Sequence, residues 1–189
     1  MPKKIHRANH ICLSIEDHTS GSKPPIWRRV LVPGGYTLPR LHDVIQGAMG
    51  WSDYHLHQFI VDGIYYGIPD PEYFEPIVNE NRVKLQTVAP TEKMKFRYEY
   101  DFGDNWQHDI LVEKILPPDS AITYPVCTAG KRACPPEDVG GMMGYAWFLD
   151  VIADPEYEEH ETYLEWIGGE FDAEAFDIDE VNLRLKGIK

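Results

Sequence analysis

The chain has 189 residues, a formal net charge of −13 and a hydrophobic content of 43%. Length and composition are those of a globular protein with a substantial core, which excludes a disordered or fibrous chain. The three cysteines, Cys12, Cys127 and Cys134, are too few for the disulfide framework of a small secreted domain.

The distribution of apolar and charged residues indicates where the protein is located and which partners it can bind. No stretch approaches the roughly 20 apolar residues of a membrane-spanning helix, and the N-terminal MPKKIHRANH lacks the apolar core of a signal peptide. We therefore expect a cytoplasmic protein without a membrane partner. Residues 150–189 hold 13 acidic and 3 basic residues, whereas residues 1–40 hold 7 basic and 2 acidic residues. The net charge disfavours nucleic acid as a partner, although the basic N-terminal segment leaves that possibility open.

The first part of the chain predicts two strands and a helix. Alternating apolar residues over 11–15 indicate the first strand, and IWRRVLV (26–32) indicates the second. Apolar residues over 38–49 recur at the spacing of an amphipathic helix, with Thr37 as candidate N-cap. Gly50 stands where such a helix would stop.

A hairpin is predicted next. HLHQFIV (55–61) is a candidate third strand, and the Asp-Gly pair at 62–63 is a strong turn signal that leads into IYYG (64–67). Residues 67–82 hold three prolines and should be irregular. Residues 82–88 fit either a short strand or one turn of helix.

The segment KFRYEYDFGDNWQHDILVEKI (95–115) organises the rest of the chain. Its apolar residues alternate with polar ones on both sides of Gly103-Asp104-Asn105, the pattern of a hairpin with one face toward a core. A three-residue loop would place Phe102 opposite Trp106 and keep all apolar residues on one face. We expect Asn105 or Gly103 to take the positive φ that such loops need.

Residues 124–145 read as a long connection rich in glycine and proline. Helices are predicted from about Gly144, again over 155–167, and in a last short segment for which Asp172 or Asp179 is the candidate cap.

The predicted fold is a single α+β domain over residues 1–189. We expect a roll-like mixed or antiparallel sheet with a central aromatic hairpin, one helix on a face and acidic C-terminal helices covering another side. Residues 1–118 would supply the sheet and the first helix, and residues 119–189 a Cys/Pro/Gly loop and the C-terminal helices.

Six segments carry a resemblance to a known family: PPIWRRVLVP (24–33), LHDVIQGAMGWSDYHLHQF (41–59), YEYDFGDNWQH (98–108), CTAGKRACPPEDVGG (127–141), GY (144–145) and WIGGEFDAEAFD (166–177). They resemble the plasmid pRiA4b ORF-3-like family nearly end to end. The resemblance implies an α+β roll-like domain associated with mobile elements, since members are labelled as insertion-element passengers or as resolvase-like. It implies no established reaction. Members often carry a further cysteine where this chain has Val139, which weakens a shared metal site.

The candidate site is an aromatic cleft near the central hairpin, with Trp27 and Trp51 beside it. Its candidate residues are Arg28, Asp101, Asp104, Trp106, His108, Glu137 and Asp138. Because tryptophan and tyrosine are enriched in recognition surfaces, a binding or regulatory domain for a protein or small-molecule partner is the first hypothesis. Burial of the tryptophans in the core is the alternative.

Two further functions stay open. In a metal-assisted hydrolase, the five ionisable residues of the cleft would converge on one point: Asp101, Asp104, His108, Glu137 and Asp138. Otherwise Asp104 caps the turn, His108 bonds a tyrosine hydroxyl, and Glu137 and Asp138 cap the helix near Gly144 or pair with arginines. Nucleic-acid binding would need the basic residues Lys3, Arg28, Arg29 and Arg40 on one exposed face.

Zinc or another divalent metal is the candidate cofactor. Cys127 and Cys134 could be zinc ligands, but two cysteines need partners such as Cys12, His160 or Glu137 from elsewhere in the chain. Buried or redox-sensitive thiols are the alternative. His55 and His57, two apart on a predicted strand, should face the same side, but no third ligand is evident; His42 fits no pattern. The sequence lacks a serine elbow, a phosphate loop and a dinucleotide fingerprint.

Overall fold

A computed structural model describes residues 9–17, 25–69 and 76–188. It contains eight strands: β1 (His10–Asp17), β2 (Trp27–Pro33), β3 (His57–Val61), β4 (Ile64–Gly67), β5 (Val78–Asn79), β6 (Lys95–Tyr100), β7 (Trp106–Leu116) and β8 (Val126–Lys131). The α-helices are α1 (Leu38–Met49), α2 (Leu85–Val88), α3 (Gly141–Ala153), α4 (His160–Ile167) and α5 (Ile178–Leu185), and a 3-10 turn spans Glu80–Arg82. Within these residues no helix is long and apolar enough to cross a membrane.

All eight strands form one open sheet in the order β5-β4-β3-β6-β7-β1-β2-β8. Neighbouring strands are antiparallel, except that β4 and β5 run parallel. The predicted α+β class with a mixed sheet is therefore confirmed.

The first helix follows the sequence pattern closely. Its apolar residues, Leu38, Leu41, Val44, Ile45 and Ala48, are fully buried and belong to the same core cluster as the aromatic residues of β6. The helix ends at Gly50, whose φ of +89° is the left-handed conformation that glycine adopts without strain. Thr37 precedes the helix, but its side chain makes no capping hydrogen bond.

The loop of the central hairpin is longer than predicted. Tyr100, not Phe102, pairs with Trp106, so the loop spans 101–105, and Phe102 is exposed. β6 ends at Tyr100 because the backbone of Asp101 turns to a φ of +53° and its N–H bonds the carbonyl of Leu56. The predicted three-residue loop is wrong, because the pairing is shifted by two residues; this shift keeps the apolar side chains of the two strands on the predicted face, but leaves Phe102 in the loop. Asn105 takes the predicted positive φ, at +57°.

The stretch predicted as a long connection contains a strand. β8 pairs with β2 and forms one edge of the sheet. The amide of Asn182 on α5 bonds both the backbone N–H and the carbonyl of Cys127, at 2.8 Å and 3.0 Å. These bonds cover part of an edge that would otherwise be open to pairing with another chain.

The C-terminal helices differ from the prediction at their starts. α3 begins at Gly141, α4 begins at His160, and α5 is capped by Asp177, which accepts from the backbone N–H groups of Asp179 and Glu180. The prediction that Asp172 or Asp179 caps this last helix is therefore wrong. α5 packs on α1 and β8, and Arg184 donates to the carbonyl of Gly47.

Candidate functional site

A pocket of about 440 Å³ opens between α1, the segment leading into β3 and the 3-10 turn. Six histidines and carboxylates line it: His42, Asp43, Asp53, His55, His57 and Glu80. Three apolar side chains that also line it are exposed: Tyr54, Leu56 and Ile68. We call this the histidine pocket.

Two histidines form the floor of the histidine pocket. His42 lies on the buried side of α1 and is only 4% exposed, and His57 is the first residue of β3. Their rings stack in parallel, with centroids 3.6 Å apart and an interplanar angle of 7°. The helix and the strand therefore fix both imidazoles in one place.

Each imidazole is held by a carboxylate. Nε2 of His42 lies 2.8 Å from Oδ1 of Asp53, and Nε2 of His57 lies 3.0 Å from Oε1 of Glu80. Nδ1 of His42 lies 2.8 Å from the hydroxyl of the buried Tyr98. The potential ligand atoms of His42, Asp53 and His57 all lie within 4.8 Å of one another.

Gln46 fixes the surroundings of His42. Its amide nitrogen donates to the Tyr98 hydroxyl at 3.0 Å, and its amide oxygen accepts from the backbone N–H of Asp53 at 3.0 Å. Asp53 has a φ of +58°, a conformation that aspartate tolerates better than most residues. One side chain thus orients both partners of His42.

The electrostatics keep His42 uncharged. Burial lowers the pKa of His42 to about 4, and the neighbouring His57 adds to this shift, which Asp53 and Glu80 partly offset. Neutral imidazole is the form that coordinates metal ions.

Glu80 is unusual because it is a nearly fully buried carboxylate, 2% exposed. Oε1 bonds His57, but Oε2 is buried and has no hydrogen-bond partner among the residues that the structure describes. Burying such an oxygen without a partner is costly, so its position calls for a partner such as a water or a bound ion.

The lowered pKa of His42 makes stability depend on pH. Unfolded His42 takes up a proton below its ordinary pKa of 6.5, whereas the folded protein does so only near pH 4. Protonation therefore favours the unfolded chain as pH falls. As the pH falls from 7 to 5, we expect the free energy of unfolding to decrease by about 2 kcal/mol because of His42.

Urea unfolding with chelator present should show a flatter pH dependence of the free energy of unfolding for His42→Gln than for the wild type. His160→Gln, outside the pocket, is the control; equal slopes for all three proteins would contradict the assignment.

A second cluster lies beside the first. Nε2 of His55 is 2.9 Å from Oδ1 of Asp138 and 3.6 Å from Oδ2 of Asp101. The ligand atoms of these three residues also lie within 4.8 Å of one another. The prediction that His55 and His57 face one side of a strand is wrong, because β3 begins at His57 and His55 precedes it.

The predicted cleft residues separate into several places. Asp101 and Asp138 meet at His55, whereas Oδ2 of Asp104 accepts from the backbone N–H of Gly140. Glu137 accepts from the hydroxyl of Tyr100 and from the N–H of Ser52. Burial and Glu137 raise the pKa of Tyr100, which keeps that hydroxyl a donor.

The aromatic cleft itself is part of the core. Trp106 and His108 are each 1% exposed and Trp51 is 8% exposed, and the His108 ring lies 5.3 Å from that of Trp51. The five ionisable groups of the hydrolase hypothesis therefore do not converge on one point; among the described residues, the carboxylates of Asp101 and Asp138 meet at His55. Glu137 and Asp138 do not cap α3, whose N-cap is Gly140.

Arg28 lies away from these residues. It is 3% exposed, and its guanidinium donates to four backbone carbonyls. Arg29 pairs with Glu113 and Arg40 with Asp43, while Lys3 lies outside the described residues. Of the described basic residues in this segment, Arg28 is buried and the other two are paired with carboxylates, which weakens the nucleic-acid hypothesis.

The cysteines are not gathered into a metal site within the described residues. Sγ of Cys127 bonds the carbonyl of Ala129, and Sγ of Cys134 lies 3.1 Å from Sδ of Met49. Burial raises the pKa of both thiols, that of Cys134 to about 11. Protonated, buried thiols are poor metal ligands.

Sequence reasoning missed two residues of the first cluster, His42 and Asp53, and the neighbouring Glu80. One signal was available for His42, a histidine between Leu41 and Ile45 on the buried side of a predicted amphipathic helix.

The comparisons with known proteins agree with this fold. The family model described as plasmid pRiA4b ORF-3-like protein matches residues 13–180. The uncharacterized protein y4hQ of Sinorhizobium fredii is 40% identical over 162 residues, which are 85% of this chain and 83% of that protein. The crystal structure of MM3350, a protein of unknown function from Methanosarcina mazei Go1, superposes with a TM-score of 0.82 at 41% identity, over 93% of this chain and 98% of that one. Because the family model matches residues 13–180 and a relative is 40% identical over 85% of the chain, the chain belongs to the plasmid pRiA4b ORF-3-like family.

Proposed function

We propose that this protein is a binding domain for a divalent transition-metal ion, which His42, Asp53 and His57 hold in the histidine pocket. Two imidazoles and a carboxylate are a ligand set that zinc and similar ions use in proteins. The neutral state of His42 supports this role, since its pKa is lowered to about 4 and it competes little with protons.

The observation that carries the proposal is the buried Oε2 of Glu80 beside the ligand group, which has no hydrogen-bond partner among the described residues. A cation bound between the imidazoles and Asp53 would compensate the charge of Glu80. The Glu80 carboxylate would then be a fourth ligand or lie slightly farther from the ion. In a tetrahedral site with bonds near 2.1 Å, ligand atoms lie roughly 3.4 Å apart. The three ligand atoms already lie within 4.8 Å of each other, so small side-chain movements suffice.

Tyr98 supplies the outer support that metal-bound histidines need. Its hydroxyl can accept a hydrogen bond from Nδ1–H of His42, which leaves Nε2 free for the metal. The net charge of −13 favours cations over anions. The volume of the histidine pocket leaves room for a water or a small ligand on the exposed side of the ion.

Metal titration of the purified protein tests the proposal. We expect one Zn²⁺ per chain at this site, seen by native mass spectrometry and by competition with a chromophoric chelator. His57→Ala should weaken the binding roughly 100-fold, and Glu80→Gln by roughly 10-fold or more. His160→Ala is the matched control and should bind as the wild type does.

Cobalt distinguishes this site from the cysteines. A Co²⁺ complex on His42, Asp53 and His57 should lack the charge-transfer absorption of a thiolate ligand. Equal zinc affinity in the wild type and in His57→Ala, or a thiolate band that Cys134→Ser abolishes, would overturn the proposal.

A further inference from the structure

We infer that His55, Asp101 and Asp138 form a second cation site, separate from the one proposed above and of harder ligand character. The three residues come from the segment before β3, the β6–β7 loop and the loop before α3. One imidazole with two carboxylates suits an ion that prefers oxygen, such as Mn²⁺. This site stands on its own geometry and does not depend on the first.

The imidazole of His55 is placed like a ligand rather than like a hydrogen-bond donor. Nε2 is shielded from solvent, yet it makes no well-aligned hydrogen bond to either carboxylate, although the oxygens lie 2.9 Å and 3.6 Å away. An N–H group that pairs with a carboxylate points along the line between the two atoms. A nitrogen and two oxygens around a common point are instead the arrangement that a cation needs.

Asp101 is held in place before any ion binds. It is 8% exposed, and its Oδ1 accepts from the backbone N–H groups of Gly103 and Asp104, at 2.9 Å and 3.3 Å. Oδ2 is the oxygen that faces His55. The loop thus fixes one carboxylate oxygen and presents the other.

Three hydrogen bonds anchor the loop that carries Asp138. The indole N–H of Trp51 donates to the carbonyl of Pro135, at 2.9 Å. Glu137 accepts from the N–H of Ser52, at 2.7 Å, and from the hydroxyl of Tyr100. These bonds tie the loop to the segment that follows α1 and to the end of β6, so the third ligand is positioned by the fold.

The two sites share a short segment of chain. Asp53 and His57 face the first cluster, and His55, midway between them, faces the second. The five-residue segment 53–57 therefore supplies two ligands to the first site and one to the second. Substitutions have to be chosen so that each removes ligands from one cluster alone.

Manganese titration followed by electron paramagnetic resonance tests the inference, because free and bound Mn²⁺ give different signals. The protein is first loaded with one equivalent of Zn²⁺, and we expect one Mn²⁺ per chain to bind in addition. Asp101→Asn and Asp138→Asn should each weaken Mn²⁺ binding at least tenfold. Asparagine is chosen because it tolerates the positive φ of both positions and keeps the side-chain oxygen that the β6–β7 loop uses.

Asp62→Asn is the matched control, since Asp62 also has a positive φ but lies in the β3–β4 turn. It should bind Mn²⁺ as the wild type does. Zinc binding without any Mn²⁺ binding, or Mn²⁺ affinity unchanged in Asp101→Asn and Asp138→Asn, would overturn the second site and leave the first intact. Manganese binding that depends on Asp138 in a protein that takes no zinc would support the second site and overturn the first.

Discussion

Replacing Arg28 with methionine is expected to lower the free energy of unfolding by about 3–5 kcal/mol. The guanidinium donates to four backbone carbonyls, those of Trp27, Ala48, Lys131 and Arg132, at 2.8–3.0 Å. Its Cζ also lies 4.7 Å from the ring centroid of Phe176. One side chain therefore joins β2, the C-terminal end of α1 and the chain that follows β8.

The size of the effect follows from what remains after the substitution. Methionine fills much of the volume, but it leaves buried carbonyls without a donor, and each such group costs about 1–3 kcal/mol. Ala48 lies in the last turn of α1, where the carbonyl has no partner within the helix and the helix dipole favours a positive charge.

Arg29 provides the matched control for this experiment. It is the next residue on the same strand, but its side chain is 38% exposed and pairs with Glu113 on the polar face of the sheet. Arg29→Met should cost about 1 kcal/mol or less. Chemical unfolding followed by tryptophan fluorescence would measure both variants. If Arg28→Met and Arg29→Met lower the free energy of unfolding equally, the buried hydrogen bonds of Arg28 add no stability beyond that of an exposed arginine.

Local periodicity was sufficient to predict much of the sheet and the first helix. The helix over 38–49 and its stop at Gly50 depend on residues that are close in sequence, and so does the hairpin at 62–63. The central hairpin shows the limit of such patterns. Because side chains alternate with a period of two, a register shift of two residues gives the same buried face, and only the contact of Asp101 with Leu56 decides the loop length.

β8 escaped prediction because its sequence, VCTAGK, lacks clear alternation and its pairing with β2 joins residues about 100 positions apart. Arg28 was misplaced for a related reason. A sequence does not reveal that an arginine on a strand is surrounded by carbonyls from two other segments of the chain, so its polarity indicated a cleft.

The two clusters could be predicted only in part. The sequence indicates Asp101, Asp138 and His55 separately as candidate site residues. Their convergence depends on three loops, with positive φ at Asp101 and Asp138. The first cluster joins α1, the segment before β3 and the 3-10 turn, and Glu80 reaches it from a stretch expected to be irregular. Such long-range contacts leave no spacing signal in the chain.

Replacing Gly144 with alanine is the second change for which we expect a large effect. Gly144 lies in the first turn of α3, where alanine would ordinarily stabilise a helix by roughly 1 kcal/mol. A methyl group here, however, would overlap the carbonyl oxygen of Val139 and approach its carbon to 2.8 Å. We expect the clash to dominate and to lower the free energy of unfolding by about 3 kcal/mol.

The same clash connects stability to the second cation site. Val139 follows Asp138, so a backbone shift that relieves the overlap must move the carboxylate that faces His55. Gly144→Ala should therefore weaken Mn²⁺ binding as well as stability, whereas zinc binding in the histidine pocket, which lies on other segments, should change little. Gly35→Ala is the control, because its methyl group would meet nothing within 4 Å. A Gly144→Ala protein as stable as the wild type would mean that the chain before α3 yields freely, and it would remove the argument that this loop holds Asp138 in place.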